Sequence, residues 1–463
     1  MKLNGNHHLL LVNAPAPNVV EAHYDTPVFP RTSLAFLAGY VRDHLPGITI
    51  SVLDCKFDRL NEQIAIEKIL KMKPTIIGFT AMTNEVKSCA KLCSKIKEKM
   101  DFKSIIGGVH YSALPEQTLR EFPCFDYGVA GEGEEALLSL LNCLTENKEI
   151  NISGVGYLKE DKFCGSSERQ LLQNQNDVFP AWDMFRAGKD YMLQTARGCP
   201  FTCEFCMNPG GRKVRSQSVE HIVNELKWLV ENKAPKTVYF GDEIFTVDQQ
   251  RIIKLCDAMI EAGLHKKLSW RCQTHVNCLN EKLVMKMKQA NCSLVGLGIE
   301  TGDESLLKSI GKGTDKKKVN DAIKLLNKYD LKYSTFFILG QANETYETAK
   351  ETVNFAVELN PMEPVFGLMV PYPGTKVWDM ANRNEGGFKL LSKDWDVYNK
   401  QIGNAMSFEG IKRSQLERMQ FLAYVKVFLY NYRFKDFIKF CLKYRSVGLA
   451  IIFKQFHFFT KSR

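Results

Sequence analysis

No stretch of the 463-residue chain carries the run of about 18 to 20 uncharged apolar residues that a membrane-spanning helix requires. The opening segment, MKLNGNHHLLLVNAP, also lacks the long apolar core of a secretory signal. The bulk of the chain is therefore expected in the cytoplasm. Short-period repeats and low-complexity tracts are absent as well. Fourteen cysteines are present, but they are scattered, and without a secretory leader they point to a reducing compartment rather than a disulfide framework.

Acidic residues are scarce at one end. From Lys412 to Arg463 there are twelve Lys or Arg against only Glu417 and Asp436, and this local excess of ten equals the net charge of the whole chain, +10. The rest is formally neutral, so the basicity belongs to a tail and does not mark a nucleic-acid-binding core. No recognisable nucleic-acid module is found either. In the tail, aromatics alternate with Lys and Arg. That composition suits a helical cap packed on the body of the protein, or peripheral contact with the anionic inner face of a membrane.

What is present is a long β/α alternation. Short apolar runs at 9–13, 48–54, 75–81, 104–110 and 127–133 are separated by helical patterns at 32–44, 59–72, 84–99, 115–121 and 133–145. Such runs predict a doubly wound parallel sheet over residues 1–145, whose ligands bind beyond the carboxyl ends of the strands. Asn13, Ala14, Pro15, Thr80, Met82, Gly107, Gly108, Gly131 and Gly133 fall at that edge. Residues 146–190 are less regular and read as a linker. A second series follows, with strands at 191–196, 237–242, 268–275, 294–300, 334–340 and 365–372. Six βα units over 191–375 predict a (β/α)6 partial barrel with its chemistry at the C-terminal strand ends. The remainder, 376–463, reads as a helical basic and aromatic region.

One group of cysteines has a metal-ligand spacing. In ARGCPFTCEFCMNPG, directly after the first barrel strand, Cys199, Cys203 and Cys206 form CxxxCxxC. Three thiolates so spaced hold three irons of a 4Fe-4S cluster and leave the fourth iron free for a chelating ligand. A tetrahedral zinc site needs a fourth ligand nearby, and the nearest downstream histidine is His221.

RGCPFTCEFC resembles the signature loop of radical S-adenosylmethionine (SAM) enzymes, and the similarity runs through most of 191–375. In that family SAM chelates the open iron and is cleaved reductively to a 5'-deoxyadenosyl radical, with electrons from an external donor such as flavodoxin or ferredoxin. The resemblance implies that Phe205 lies near the adenine and that Gly241, Asp242 and Glu243 of YFGDEIF approach the SAM amino group. It also implies that Glu300 of GLGIETGDE bonds the ribose and that Gly340 of FILGQANET lies near the adenine. Each has a plainer alternative: Asp242 and Glu243 can cap a helix, and Gly340 can end a strand. Glu300, at the end of an apolar strand, needs a ligand or a cation. Arg271 and Cys272 read as barrel-lining or core residues. The segment after them is THVN, with His275 and Asn277, where relatives often carry an Arg.

Residues 9–145, placed before such a barrel, resemble the cobalamin-binding domain of the cobalamin-dependent radical SAM branch. LLLVNAP, PRTSLAFLAGYVRD, IIGFTAMT, IIGGVHYSALPE and GVAGEGEEAL carry the likeness. It implies cobalamin contacts at Asn13, Thr80, Met82, Gly107, Gly108, Gly131 and Gly133. No Asp-x-His-x-x-Gly stretch supplies a cobalt-ligating histidine, and His110 is as readily a packed turn residue as a ligand. The expected activity is methylation of an unactivated carbon in a small-molecule or lipid substrate. The alternatives are radical cyclisation or rearrangement without methyl transfer and, from another class, a non-catalytic iron-sulfur sensor or scaffold. Methylthio transfer is disfavoured because Cys55, Cys89, Cys93, Cys124 and Cys143 form no second cluster set.

Overall fold

The computed structural model describes residues 7–16, 29–166, 168–401 and 403–444. The last part of the basic tail, 445–463, lies outside the described residues.

The first sheet has seven strands in the order β2-β1-β3-β4-β5-β6-β7. Strands β1 (His8–Asn13), β2 (Thr49–Asp54), β3 (Ile76–Thr80), β4 (Lys103–Gly107) and β5 (Tyr127–Val129) are parallel. β1 is apolar at successive positions because both of its faces are covered: Leu9, Leu10 and Val12 are fully buried. Helices α1 (Thr32–His44) and α6 (Glu134–Glu146) cover one face, while α2 (Glu62–Met72) and α3 (Val86–Lys97) cover the other. Two short helices, α4 (Val109–Ala113) and α5 (Pro115–Glu121), follow β4. The winding reverses between β1 and β3, and that switch point opens a crevice at the strand ends.

The segment read as a linker carries structure of its own. β6 (Val155–Lys159) pairs antiparallel with β5, and β7 (Lys162–Gly165) with β6, so a hairpin extends the sheet. These strands are short and interrupted by glycine, which is why alternation did not reveal them.

The second sheet runs β15-β14-β13-β12-β11-β8. Its strands are β8 (Asp190–Leu193), β11 (Thr237–Phe240), β12 (Ser269–Thr274), β13 (Cys292–Glu300), β14 (Tyr333–Leu339) and β15 (Glu363–Leu368), all parallel. β8 and β15 do not pair, so the barrel is partial. Its helices α7 (Val219–Asn232), α8 (Gln249–Glu261), α9 (Glu281–Gln289), α10 (Glu304–Ser309), α11 (Lys316–Lys328) and α12 (Tyr346–Leu359) start at Ser218, Asp248, Asn280, Asp303, Asp315 and Thr345. Each of those side chains accepts a backbone N–H of the first turn. On β12 the outward Trp270 and Cys272 are core, while Arg271 lines the barrel, as expected.

The C-terminal region is not wholly helical. After α13 (Lys376–Arg383) comes a ribbon of β16 (Phe388–Leu390) and β17 (Met406–Phe408), then α14 (Arg413–Tyr430) and α15 (Phe434–Lys443). Trp395 and Tyr398, between the ribbon strands, pack into the core on the α3 side of the first sheet.

Candidate active site

Beyond β8 the chain forms β9 (Ala196–Arg197), which pairs antiparallel with β10 (Arg215–Ser216) and brings both ends of the cysteine loop together. Gly198, at φ +100°, makes the entry turn; a side chain there would sit 2.3 Å from the Lys213 carbonyl. Cys199 N–H donates to Gly211 O at 3.0 Å, Asn208 Nδ2 to Cys199 O at 2.8 Å, and Cys206 N–H to Cys203 O at 3.1 Å. Cys199 and Cys203 are half-buried and Cys206 is exposed. Burial pushes the Cys203 thiol up to about 11; nearby Lys312 pulls it down, and Glu300 and the other two sulfurs raise it. Burial likewise raises Cys199, with Cys206 and Glu243 adding to it. Among the described residues no three His, Cys, Asp or Glu side chains are drawn into a finished metal cage. The fit to a three-thiolate cluster rests on donor chemistry: three sulfurs on one short loop, close enough to feel one another's charge.

A second loop clasps the first. Phe201 stacks on His275 with ring centroids 4.1 Å apart and planes 10° from parallel. Burial, with Lys312 adding to it, lowers His275 to about 4, so the ring is neutral. Its Nδ1 accepts from Asn277 N–H at 3.1 Å, which leaves Nε2–H to donate to Lys312 O at 3.0 Å. Asn277 Nδ2 donates to Gly313 O at 2.9 Å. THVN therefore holds the GKGT loop over the cysteines.

Glu300 ends β13 at a bulge and has φ +72°, a conformation that costs a non-glycine residue about 1–3 kcal/mol. Its carboxylate is buried and paired with the ammonium of Lys312. The cation that the sequence demanded is thus supplied by a loop lysine that sequence reasoning passed over.

The other SAM candidates divide. Phe205 packs beside Met369, Val377 and Phe388. Gly241 donates to Leu193 O at 2.7 Å, and a side chain there would meet Met192 at 2.8 Å. Asp242 is fully engaged by Thr195, accepting its N–H at 2.5 Å and its hydroxyl at 2.6 Å. Glu243 is different: its Oε2 is buried with no partner, and burial raises its pKa. Gly340, at φ +88°, donates to Glu344, whose Oε1 is likewise buried and unpartnered; burial raises Glu344 to about 7. Glu344 was not singled out from sequence, although its place in QANET at a strand end is a usable signal.

At the first sheet's carboxyl edge, Asn13, Thr80 and Gly107 lie in register on adjacent strands. Gly108 turns the chain at φ +97°, where a side chain would press on Ala81 O at 2.7 Å and Thr80 Oγ1 at 3.0 Å. Met82 is exposed. His110 is buried edge-on to Trp395, centroids 4.9 Å apart, and neither ring nitrogen has a partner; burial lowers it to about 4. A glycine-turned crevice with an unsatisfied imidazole fits a broad macrocyclic ligand with polar side arms. Gly131 and Gly133 follow β5, the neighbour of β4, at φ +91° and +93°. A side chain at Gly131 would strike Gln170 O at 2.4 Å, and one at Gly133 would meet Leu37 of α1 at 3.1 Å.

The acids beside those glycines, Glu132 and Glu134, bind the barrel. Arg197 bonds Glu134 at 2.7 Å and Glu132 at 3.1 Å, and Arg215 bonds Glu132 at 2.5 Å and Gly210 O at 2.8 Å. Burial works against the Arg197 charge, but Glu134 and Glu132 outweigh it and hold its pKa high. The end of β5 thus grips the base of the cysteine loop. Across the cleft, a side chain at Gly374 would meet Met207 at 3.2 Å and Ala113 at 3.4 Å, so the residue after Cys206 abuts the helix after β4.

Two family models match the chain: B12 binding domain over residues 18–141 and Radical SAM superfamily over 193–356. An uncharacterized methyltransferase of Pyrococcus horikoshii is 31% identical over 91% of this chain and 92% of its own. The anaerobic magnesium-protoporphyrin IX monomethyl ester cyclase of Rubrivivax gelatinosus is 28% identical over 80% of this chain and 69% of its own. In fold, the chain is similar to the radical SAM methyltransferase TsrM from Kitasatospora setae, with a TM-score of 0.73 over 92% of this chain and 89% of that one at 17% identity. The chain belongs to the family of radical SAM enzymes that carry a cobalamin-binding domain, whose cofactors are a 4Fe-4S cluster, SAM and cobalamin.

Proposed function

We propose that this enzyme methylates an unactivated carbon of a small-molecule or lipid substrate, drawing electrons from an external donor such as flavodoxin or ferredoxin. When bound, the cofactors supply a hydrogen-abstracting radical and a transferable methyl group. The chain's own residues position these two chemistries. Cys199, Cys203 and Cys206 hold the cluster, Glu243 and Glu344 offer unpartnered carboxylate oxygens after their barrel strands, and Glu300, at its bulge, is held by Lys312. The carrying observation is the buried Arg197–Glu132–Glu134–Arg215 network, which fixes the crevice of the first sheet against the cysteine loop. Pinning two sites across a shared cleft serves a reaction that needs both at one substrate carbon.

A second reading, radical cyclisation without methyl transfer, is supported by the likeness to the anaerobic cyclase. One experiment separates them. After anaerobic reconstitution, expected to give about four Fe and one Co per chain, the enzyme is supplied with SAM carrying a deuterated methyl group and a panel of candidate substrates. Methylation yields S-adenosylhomocysteine and 5'-deoxyadenosine in equal amounts and a product bearing the labelled methyl. Deoxyadenosine with a modified but unlabelled product, and no S-adenosylhomocysteine, would overturn methyl transfer in favour of cyclisation or rearrangement.

A further inference from the structure

Surface helices of folded proteins ordinarily turn one apolar face inward and a polar face to water. α14 does not. Leu416, Met419, Ala423 and Val427 are buried against the barrel, yet Phe421 on the opposite side is 63% exposed and Leu422 is 37% exposed. α15 packs on it through Phe437 and Phe440, which meet Phe428 and Tyr424. That leaves the 434/438/442 stripe facing away: Phe434 is 54%, Ile438 58% and Leu442 62% exposed. At helical spacing these three form one continuous apolar line, bordered on one side by Lys435, Lys439 and Lys443.

We infer that this two-helix surface docks on an anionic lipid bilayer, with the Phe434–Ile438–Leu442 stripe entering the headgroup boundary and the lysines meeting lipid phosphates. The charge pattern selects this occupant. The only acids of α14 and α15, Glu417 and Asp436, are already held by Arg413 at 3.1 Å and Arg433 at 2.9 Å, which leaves the flanking lysines without compensation from either helix. A second copy of the chain would bring a like-charged rim against the same rim, which is repulsive; an acidic bilayer is complementary. α14 also borders a groove of about 300 Å³ that Lys350, Arg418 and Lys426 line together with Tyr346 and Leu422, a combination of cations and apolar wall suited to a phosphate headgroup and its first methylenes. The chain continues beyond Tyr444 with Arg445, Lys454, Lys461 and Arg463 and no acid, so the excess positive charge runs on in sequence. Among the described residues no helix is long and apolar enough to cross a membrane, so the contact is peripheral.

The test uses the full-length reconstituted enzyme and sedimentation with vesicles of phosphatidylcholine alone or with 30% phosphatidylglycerol. Binding is expected only to the acidic vesicles and weakens with added salt. At about fivefold per cation, the triple variant K435Q/K439Q/K443Q lowers partitioning roughly a hundredfold. I438D/L442D does the same, because it removes the apolar stripe and sets two negative charges against the acidic bilayer. Iron and cobalt content and SAM cleavage stay at the parental level in both variants, so failure of docking and failure of the enzymatic reading are read separately. Absence of binding to acidic vesicles overturns the inference, as does full binding by I438D/L442D. A parental dimer in solution that I438D/L442D turns into a monomer also overturns it, because the occupant is then a second copy.

Discussion

The two strand-end edges of this protein differ in which buried side chains they leave unsatisfied. At the first sheet, Asp54 accepts from Asn13 at 2.7 Å, Arg31 N–H at 2.7 Å and Phe57 N–H at 3.2 Å, and Glu85 accepts from Lys56 at 2.5 Å and Met82 N–H at 2.7 Å. The neutral imidazole of His110 and the hydroxyl of Tyr111 stay unsatisfied there, and beyond β5 Glu134 keeps Oε2 open. At the barrel, Glu243 and Glu344 each keep one carboxylate oxygen buried and open. Buried acceptors are seldom left unpaired without reason. Two open carboxylates at the barrel suit a ligand rich in N–H and O–H donors, as SAM is, although Asp242 and Glu300 beside them are already paired; around Asn13 and Thr80 the first edge offers shape and glycine turns instead.

The strongest way to break that comparison is to remove one edge and watch the other. Cys203→Ala is expected to take iron from about four per chain to under one and to abolish SAM cleavage, while cobalt stays at about one. Metal analysis after reconstitution reads both at once. Loss of cobalt along with iron would mean that the edges are not independent.

The seam between them comes next in size. Arg197 is buried with two carboxylates, and Arg197→Ala leaves Glu134 without its cation and Glu132 with Arg215 alone. Removing one partner of a buried pair costs about 3–5 kcal/mol. Calorimetry of the apoprotein is expected to show the single transition of the parent moving down and splitting in two as the domains uncouple. An unchanged, single transition would show that apolar packing alone joins them.

How much of this was legible in the sequence follows the same divide. Strand and helix order, and the three cysteines, were readable because burial periodicity and ligand spacing are local. The Arg197 seam was not: its partners stand 63 residues apart in the chain, and nothing local distinguishes Glu132 or Glu134 from solvated acids at a helix start. Gly131 and Gly133 could be placed at the strand-end edge by position, but their left-handed backbone, at φ +91° and +93°, and the close approach of Gln170 to Gly131 come only with the tertiary fold. The Thr195 bonds to both oxygens of Asp242 were equally invisible in the motif, since Thr195 lies 47 residues before it. For Glu300, the cost of burial correctly demanded a cation; which one depended on how the GKGT loop folds back.

A carboxylate away from both edges sharpens the contrast. Glu225 is buried beneath the barrel, accepts from Trp182 Nε1 at 2.8 Å, and is raised by burial to about 7 from an ordinary 4.5. The folded state therefore holds a proton that the unfolded chain releases, so stability is greatest below about 4.5 and declines as pH rises to about 7. Glu225→Gln keeps the acceptor and removes the titration. At pH 8 the variant apoprotein is expected to be more stable than the parent by on the order of 3 kcal/mol, with the difference vanishing near pH 4.5. Urea unfolding at the two pH values checks this, and SAM affinity is expected to stay put, since the Thr195 bonds hold Asp242, the edge residue whose charge Glu225 feels, in parent and variant alike.

Glu300 gives the smaller and more discriminating effect. It sits in a strained left-handed conformation at a bulge, one oxygen held by Lys312, with the cysteine loop close enough that Cys203 feels both charges. If its free oxygen accepts a hydroxyl of the bound nucleoside, Glu300→Gln replaces a charged acceptor with a neutral one, a loss of about 1.5–3 kcal/mol, or roughly ten- to a hundredfold in SAM affinity. Iron content is expected to remain at the parental level because the cysteine loop keeps its own backbone closure. Thr80→Val at the first edge is the matched control and should leave SAM affinity unchanged. Equilibrium titration of the reconstituted proteins decides the matter: parental affinity in Glu300→Gln would make that carboxylate a brace for Lys312, and the barrel edge would then settle this charge as the first sheet settles its own.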